Sequence, residues 1–178
     1  MIRNTEVRRY DVVIGIDPDV RLNGIGIVYP KSRRVEVFKA SFCDTLRLVE
    51  RFKAMMQNNG ISVMIFVEGC WLNESNWHLS NGMSRRMAAA VGRNVGVNHQ
   101  SGILLHECIK DYLGMPCEVQ RPLMKHWAGI NGKITQDEMT SIVGYKLPRM
   151  NQDQRDALLL AWVKAELPIR LKTNVKKK

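Results

Sequence analysis

The chain has 178 residues, of which 45% are hydrophobic, and this length and apolar content predict one globular domain. No apolar run approaches the roughly 20 residues of a membrane span, and four cysteines without a CxxC pair exclude a secreted disulfide scaffold. The net charge of +10, from 27 basic and 17 acidic residues, indicates a polyanionic partner such as nucleic acid, although a solvated basic surface explains it equally well.

The first part of the chain reads as three strands that form an antiparallel meander. Residues 11–17 are a continuous apolar run that ends in an acid, and because both faces of this strand are apolar we expect it at the centre of a sheet. An apolar run at 24–29 and a partly alternating segment at 34–41, through Val35 and Val37, follow after short polar turns and predict the second and third strands. A helix capped by Asp44 and ended by Gly60 then crosses to the next strand.

Residues 62–68 repeat the pattern of the first strand, with an apolar run that ends in Glu68. A strand–helix–strand unit normally lays its two strands parallel, roughly 5 Å apart if they are neighbours, so Asp17 and Glu68 are expected at the same end of the sheet. Residues 79–113 then read mostly as one long helix. The four glycines in that segment imply either close packing against the sheet or a break in the helix.

The last third of the chain predicts one more strand and two more helices. We expect the strand, a loop, a modest helix and the final helix at 117–121, 122–132, 134–145 and 151–162. Asn151 is placed as the N-cap of the final helix. Asp153 and Asp156 share a face that continues into Leu160 and Val163, which should be core. The two acids therefore extend a buried stripe.

Four acids from three distant parts of the chain, Asp17, Glu68, Asp153 and Asp156, are expected at one edge of the sheet. Like charges at such short range require raised pKa values or a cation, and oxygen ligands select Mg²⁺ or Mn²⁺. Two such ions about 4 Å apart would support phosphodiester hydrolysis. Separately, Asp17 could form a turn, Glu68 could end its strand at solvent, and Asp153 could stabilise the helix dipole. Their joint occurrence favours the metal site.

The chain resembles the RuvC-type Holliday junction resolvases of the RNase H-like superfamily in Ile14-Gly-Ile-Asp17-Pro, the strand ending in Glu68, and the final Asp153-x-x-Asp156-Ala-Leu helix. The resemblance covers roughly 11–166. It implies an α/β, RNase H-like fold, a five-stranded mixed sheet in which an antiparallel meander joins parallel strands, flanked by α-helices. It also implies a homodimeric endonuclease that cuts four-way DNA junctions, with the four acids holding two Mg²⁺ ions, or Mn²⁺, per active site.

The resemblance also assigns residues outside the acids. Trp71 matches an aromatic residue that contacts the junction in the family, and the alternative is a core or dimer-contact tryptophan. Lys125 and Lys133 match two catalytic lysines that would neutralise the charge of the scissile phosphate, with ordinary solvated lysines as the alternative. Contacts with backbone phosphates are expected from three arginines of the long helix, Arg85, Arg86 and Arg93.

Two departures from the family pattern concern function. Asp19 stands where the family commonly has glycine, either as an outer ligand or as a turn residue, and the linker 69–81 differs in sequence. The linker difference bears on junction contacts and base preference. Two rival functions stay open: another RNase H-like nuclease, which acts on RNA/DNA hybrids or flaps, and a noncatalytic junction-binding protein.

We expect three segments along the chain, which are an N-terminal extension at 1–10, the nuclease domain at 11–167 and a basic, disordered tail at 168–178. The first residues lack the apolar core of a signal peptide, and the cysteines are expected to be reduced thiols. Together these features predict a protein of the bacterial cytoplasm and nucleoid, or of the infected host cell if the source is viral.

Overall fold

The structure is a computed structural model that describes residues 10–73 and 82–169. Most of the predicted N-terminal extension and of the basic tail, together with part of the linker after Glu68, lies outside the described residues. The division of the chain into three segments therefore stays a prediction. In the part of the chain that is described, no helix combines the length and the apolar character needed to cross a membrane.

Five strands form one mixed sheet. They are β1 (Val12–Asp17), β2 (Asn23–Tyr29), β3 (Arg34–Ala40), β4 (Val63–Glu68) and β5 (Cys117–Gln120). Their spatial order is β3-β2-β1-β4-β5, with β1 antiparallel to β2 and parallel to β4, and β5 parallel to β4. The meander and the central position of β1 are confirmed, and so is the predicted five-stranded mixed sheet of antiparallel and parallel strands.

Helices cover both faces of the sheet. They are α1 (Phe42–Asn59), α2 (Arg85–Glu107), α3 (Gln136–Val143) and α4 (Gln152–Lys164). On one face Ile14 and Ile16 of β1 pack with Val49 of α1 and the end of α2. On the other face Val13 packs with Leu158 and its neighbours on α4. Because β1 is covered on both sides, a continuous apolar run is the pattern its position requires.

The boundaries of α1 correct one prediction. The N-cap is Ser41, whose Oγ accepts a hydrogen bond from the backbone N–H of Asp44 at 3.2 Å. Asp44 is therefore the third residue of the helix, where its charge still faces the positive end of the helix dipole. Gly60 ends the helix in the left-handed region, with φ of 64°, as expected.

The long helix α2 begins at Arg85, after the N-cap Ser84, later than the sequence pattern indicated. It runs without a break through Gly92 and Gly96, where a Cβ would have no neighbour within 4 Å, and continues into a π-helical turn at Cys108–Tyr112. Neither a break nor close packing explains those two glycines. Gly102, by contrast, lies in close contact with other residues.

Candidate active site

The sheet brings Asp17 and Glu68 together. In the parallel pair of β1 and β4, Ile16 is in register with Val67, so the two acids directly follow a registered pair at the carboxyl ends of adjacent strands. The two carboxyls are close enough for the charge of Glu68 to raise the pKa of Asp17. This is the edge of the sheet where the sequence pattern placed both acids.

The helix α4 reaches this edge because three glycines of β1 and β2 leave room for its backbone. A Cβ added to Gly15 would lie 2.2 Å from the carbonyl oxygen of Ala157, and one added to Gly26 would lie 2.4 Å from Leu158 Cα. A Cβ on Gly24 would lie 2.3 Å from the carbonyl oxygen of Asp153. The glycines thus set the first turn of α4 close to the strand that carries the first acid. Sequence reasoning missed them, although their position within apolar strands is a signal of close backbone approach.

The two acids of α4 have defined partners. Asn151 is the N-cap, as predicted, and its Nδ2 donates to Asp153 Oδ2 at 2.7 Å. Gln152 Nε2 donates to Asp156 Oδ1 at 2.7 Å, and Lys133 Nζ lies 3.5 Å from Asp156 Oδ2. Asp156 is therefore held from two sides.

Arg155 orients Gln152, the residue that donates a hydrogen bond to Asp156. Its guanidinium donates to the carbonyl oxygens of Ile134 at 3.0 Å and Met150 at 2.6 Å, and to Gln152 Oε1 at 2.7 Å. The last contact orients the amide whose other end donates to Asp156. Sequence reasoning missed Arg155 and Gln152, since no motif distinguishes them from other polar residues of a first helical turn.

The carboxyls raise one another's pKa. Burial raises the pKa of Asp17 well above its ordinary range, and the charges of Glu68 and then Asp156 raise it further. Burial, followed by the charge of Asp156, raises the pKa of Glu68 to about 7, against the opposing charges of Lys133 and Lys125. Burial also raises the pKa of Asp156. At neutral pH the cluster therefore needs either protons or an added positive charge.

A divalent metal ion would supply that charge. Within residues 10–73 and 82–169, no three or more His, Cys, Asp or Glu side chains are arranged to hold a metal ion. The chemistry of the donor set fits one nonetheless, because the clustered side chains are all carboxylates and hard cations prefer oxygen ligands. Asp17, Glu68 and Asp156 are the residues that would hold it, with Asp153 beside them.

Trp71 lies on a short 3-10 turn directly after β4, at Cys70–Leu72. Its half-buried side chain packs against the core that covers Ile14 and Ile16. A Cβ added to Gly102 of α2 would lie only 2.5 Å from Trp71 Cζ3. The packing agrees with the core alternative for this tryptophan, and contact with DNA stays a prediction.

Asp19 shapes the turn that follows β1. Its Oδ1 accepts hydrogen bonds from the backbone N–H groups of Arg21 at 2.8 Å and Leu22 at 3.3 Å. Its own N–H donates to Oδ1 of the buried Asn23 at 3.0 Å. These contacts agree with the turn alternative for Asp19.

The remaining predicted residues divide between the cleft and the surface. Lys125 lines a cleft together with Glu68, Lys133 and Asp156. The three predicted arginines are exposed on the first half of α2, at Arg85, Arg86 and Arg93. Their placement puts them outside the acid cluster, on a surface that solvent or DNA can reach.

No protein-family model matches the chain, and the search of curated proteins gives no match. Among solved structures, Thermus thermophilus RuvC matches with 20% identity and a TM-score of 0.39, covering 88% of this chain and 97% of that one. T. thermophilus RuvC in complex with a Holliday junction substrate matches with 18% identity and a TM-score of 0.41, over 86% and 95%. Fowlpox virus resolvase in complex with its substrate Holliday junction DNA matches with 13% identity and a TM-score of 0.42, over 87% and 97%.

Proposed function

We propose that this protein is a divalent-metal-dependent endonuclease that resolves Holliday junctions or related branched DNA. The observation that carries the proposal is the cluster of Asp17, Glu68 and Asp156, which three separate elements bring to one edge of the sheet. Mutually repelling carboxyls destabilise a fold, so their clustering indicates a functional site. In a protein of net charge +10, the substrate that suits such a site is a phosphodiester.

Each residue has a role in this proposal. When bound, a pair of Mg²⁺ or Mn²⁺ ions supplies the Lewis acidity that phosphodiester hydrolysis needs at the attacking and leaving oxygens. Asp17 and Glu68 offer ligand oxygens from the ends of two rigid strands, and Asp156 and Asp153 offer theirs from the first turns of α4. The two strand ends restrict movement, so the carboxylates stay aimed at one place.

The lysines and arginines contact phosphate groups in this proposal. Lys133, 3.5 Å from Asp156, and Lys125, in the same cleft, neutralise the scissile phosphate as it approaches the acids. The arginines of α2 bind backbone phosphates and position the DNA. The protein acts as a homodimer, as the RuvC-type motifs imply, because a four-way junction presents two symmetrical strands to two identical sites.

The test is the variant Asp17→Asn. It removes one charge from the cluster with little change of shape, so cleavage of a labelled four-way junction in Mg²⁺ should be abolished while junction binding in a gel-shift assay stays largely intact. Asp111→Asn, at an exposed acid of the π-helical turn, is the matched control and should cut at the wild-type rate. Cleavage by Asp17→Asn at the wild-type rate would refute the assignment of the site.

A substrate panel separates the rival functions. Four-way junction, linear duplex, flap and RNA/DNA hybrid are each incubated with and without Mg²⁺. Preferred cleavage of the hybrid or the flap identifies another RNase H-like nuclease. Selective binding of the junction without any metal-dependent product identifies a noncatalytic junction-binding protein.

A further inference from the structure

We infer that the contact between Gly102 and Trp71 positions the two strand acids, so that Trp71 acts on catalysis through packing and Gly102 is a positioning residue. The inference rests on the proposed function. It gives a role to Gly102, the one closely packed glycine of α2, and a reason for the large aromatic side chain of Trp71 just after β4.

Glycine is required at position 102 because the neighbouring side chains leave no room for a Cβ, and not because the backbone conformation demands it. A Cβ at this position would lie 2.5 Å from Trp71 Cζ3, 3.2 Å from Trp71 Cη2 and 3.3 Å from Pro18 Cβ. Gly92 and Gly96, on the same helix, would meet nothing within 4 Å. The indole edge therefore occupies the space that any other residue at position 102 would fill.

Trp71 is tied firmly to Glu68. Between them, Gly69 donates its N–H to the carbonyl oxygen of Gln120 on β5 at 2.7 Å. A Cβ on Gly69 would lie 2.4 Å from Val119 Cγ1, so the backbone directly after Glu68 lies tightly against β5. Since this short connection is held against β5, the packing of the Trp71 ring on α2 sets the position of the helix relative to the end of β4, where Glu68 lies.

The region of α2 around Gly102 also restricts the position of the segment that follows Asp17. Pro18 follows Asp17 directly, and its Cβ contacts the position where a Gly102 side chain would be. Four residues earlier on α2, Asn98 Oδ1 accepts a hydrogen bond from the Val20 N–H at 3.3 Å. The helix therefore fixes the segments that follow both strand acids.

The contact also sets the arginines relative to the acids. Nine positions separate Arg93 from Gly102, so about 13 Å of helix axis lies between the phosphate-binding part of α2 and the packed glycine. A rigid helix held at Gly102 keeps this distance constant. DNA that is bound at the arginines is then presented to the acids at a fixed offset.

The experiment compares Gly102→Ala with Gly96→Ala, the same change on the same helix at a position without neighbours. Gly102→Ala should lower single-turnover cleavage by roughly 10- to 100-fold, the effect of disturbing residues that orient metal ligands. Its affinity for Mn²⁺, measured by calorimetry without DNA, should weaken by a similar factor. Junction affinity without metal should stay within about twofold, since the arginines are untouched. Gly96→Ala should match the wild type in all three.

A compensating change distinguishes positioning from general damage. Phenylalanine lacks the outer indole atoms Cζ3 and Cη2, so Trp71→Phe makes room for the new methyl group. The double variant should recover most of the Mn²⁺ affinity and of the cleavage rate that Gly102→Ala loses. If Gly102→Ala does not fold, Trp71→Phe is compared with the double variant, and the methyl group in the vacated space should improve Mn²⁺ affinity.

Two results would overturn the inference. One is a Gly102→Ala protein that cuts junctions and binds Mn²⁺ as Gly96→Ala does. The other is a double variant no better than the corresponding single variant. A wild-type protein that cuts no branched substrate refutes the proposed function instead, so the two failures are distinguishable.

Discussion

Asp11 and Asp17 stand at the two ends of the first strand, and their surroundings shift the pKa values in opposite directions. Asp11 accepts hydrogen bonds from Lys31, from the Ser62 N–H at 2.9 Å and from Ser62 Oγ at 2.9 Å. These donors favour the ionised carboxylate and, led by Lys31, lower its pKa to about 2. At Asp17, burial and neighbouring carboxylates favour the protonated form. The Asp11 carboxyl joins the start of β1 to Ser62, next to β4, while the Asp17 carboxyl lies in a cluster whose negative charge a cation would balance.

The Asp11 contacts predict how stability depends on pH. Because the folded-state pKa, about 2, lies below the ordinary value of 3.8, the stabilisation is fully present above about pH 4 and is lost as the pH falls toward 2. Asp11→Asn should therefore lower the free energy of unfolding at pH 7 by about 1 kcal/mol, a value reduced for solvent screening.

Urea denaturation at several pH values checks this prediction. The difference between wild type and Asp11→Asn should shrink steadily from pH 4 to pH 2. A difference that is the same at pH 7 and pH 2.5 would contradict the ionic origin of the effect.

At the scale of elements, the placement of α4 decides whether Asp153 and Asp156 lie near the two strand acids. The backbone of the helix packs directly against β1 and β2, because Gly15, Gly24 and Gly26 allow backbone-to-backbone contact. Side chains at these positions would push the helix outward. Asp153 and Asp156 would then move away from the strand acids, although every local signal for α4 would be unchanged.

The glycine contacts predict opposite outcomes for one chemical change. Gly26→Ala places a Cβ 2.4 Å from Leu158 Cα and should destabilise the protein by about 1 to 3 kcal/mol through overpacking. Gly96→Ala, in open space on α2, should stabilise it by up to about 1 kcal/mol through helix propensity. Urea denaturation measures both, and a Gly26→Ala protein as stable as the wild type would show that α4 does not need the close approach.

At the scale of the whole molecule, we expect the net charge to govern the proposed binding of DNA. The net charge of +10 predicts that junction affinity falls steeply with salt, with a log–log slope that changes by about 0.9 for each phosphate contact. Deletion of the three lysines at 176–178, which lie outside the described residues, should lower affinity for junction and duplex by the same factor. Gel shifts at several salt concentrations measure both quantities, and an altered preference for junctions would contradict a purely electrostatic tail.

Local signals determined much of the fold. The apolar run of β1, the parallel strand that ends in Glu68, and Asn151 as a helix cap are encoded within a few neighbouring residues, because strand burial and capping depend on local geometry. The parallel direction of β4 relative to β1 followed from the rule for strand–helix–strand units. For these reasons the sequence alone predicted the meander, the parallel strand beside it and the edge of the sheet that collects the acids.

Only the tertiary structure decided how the acids are held. The Gly15 approach to α4, the Gly102 contact with Trp71 and the support of Asp156 by Gln152 and Arg155 join residues whose packing or orientation no local pattern encodes. Hydrophobic periodicity states which face of an element is buried, but not which atom meets which. Such contacts depend on differences of a few tenths of an ångström in the distances between separate elements, and these distances are set only in the folded chain.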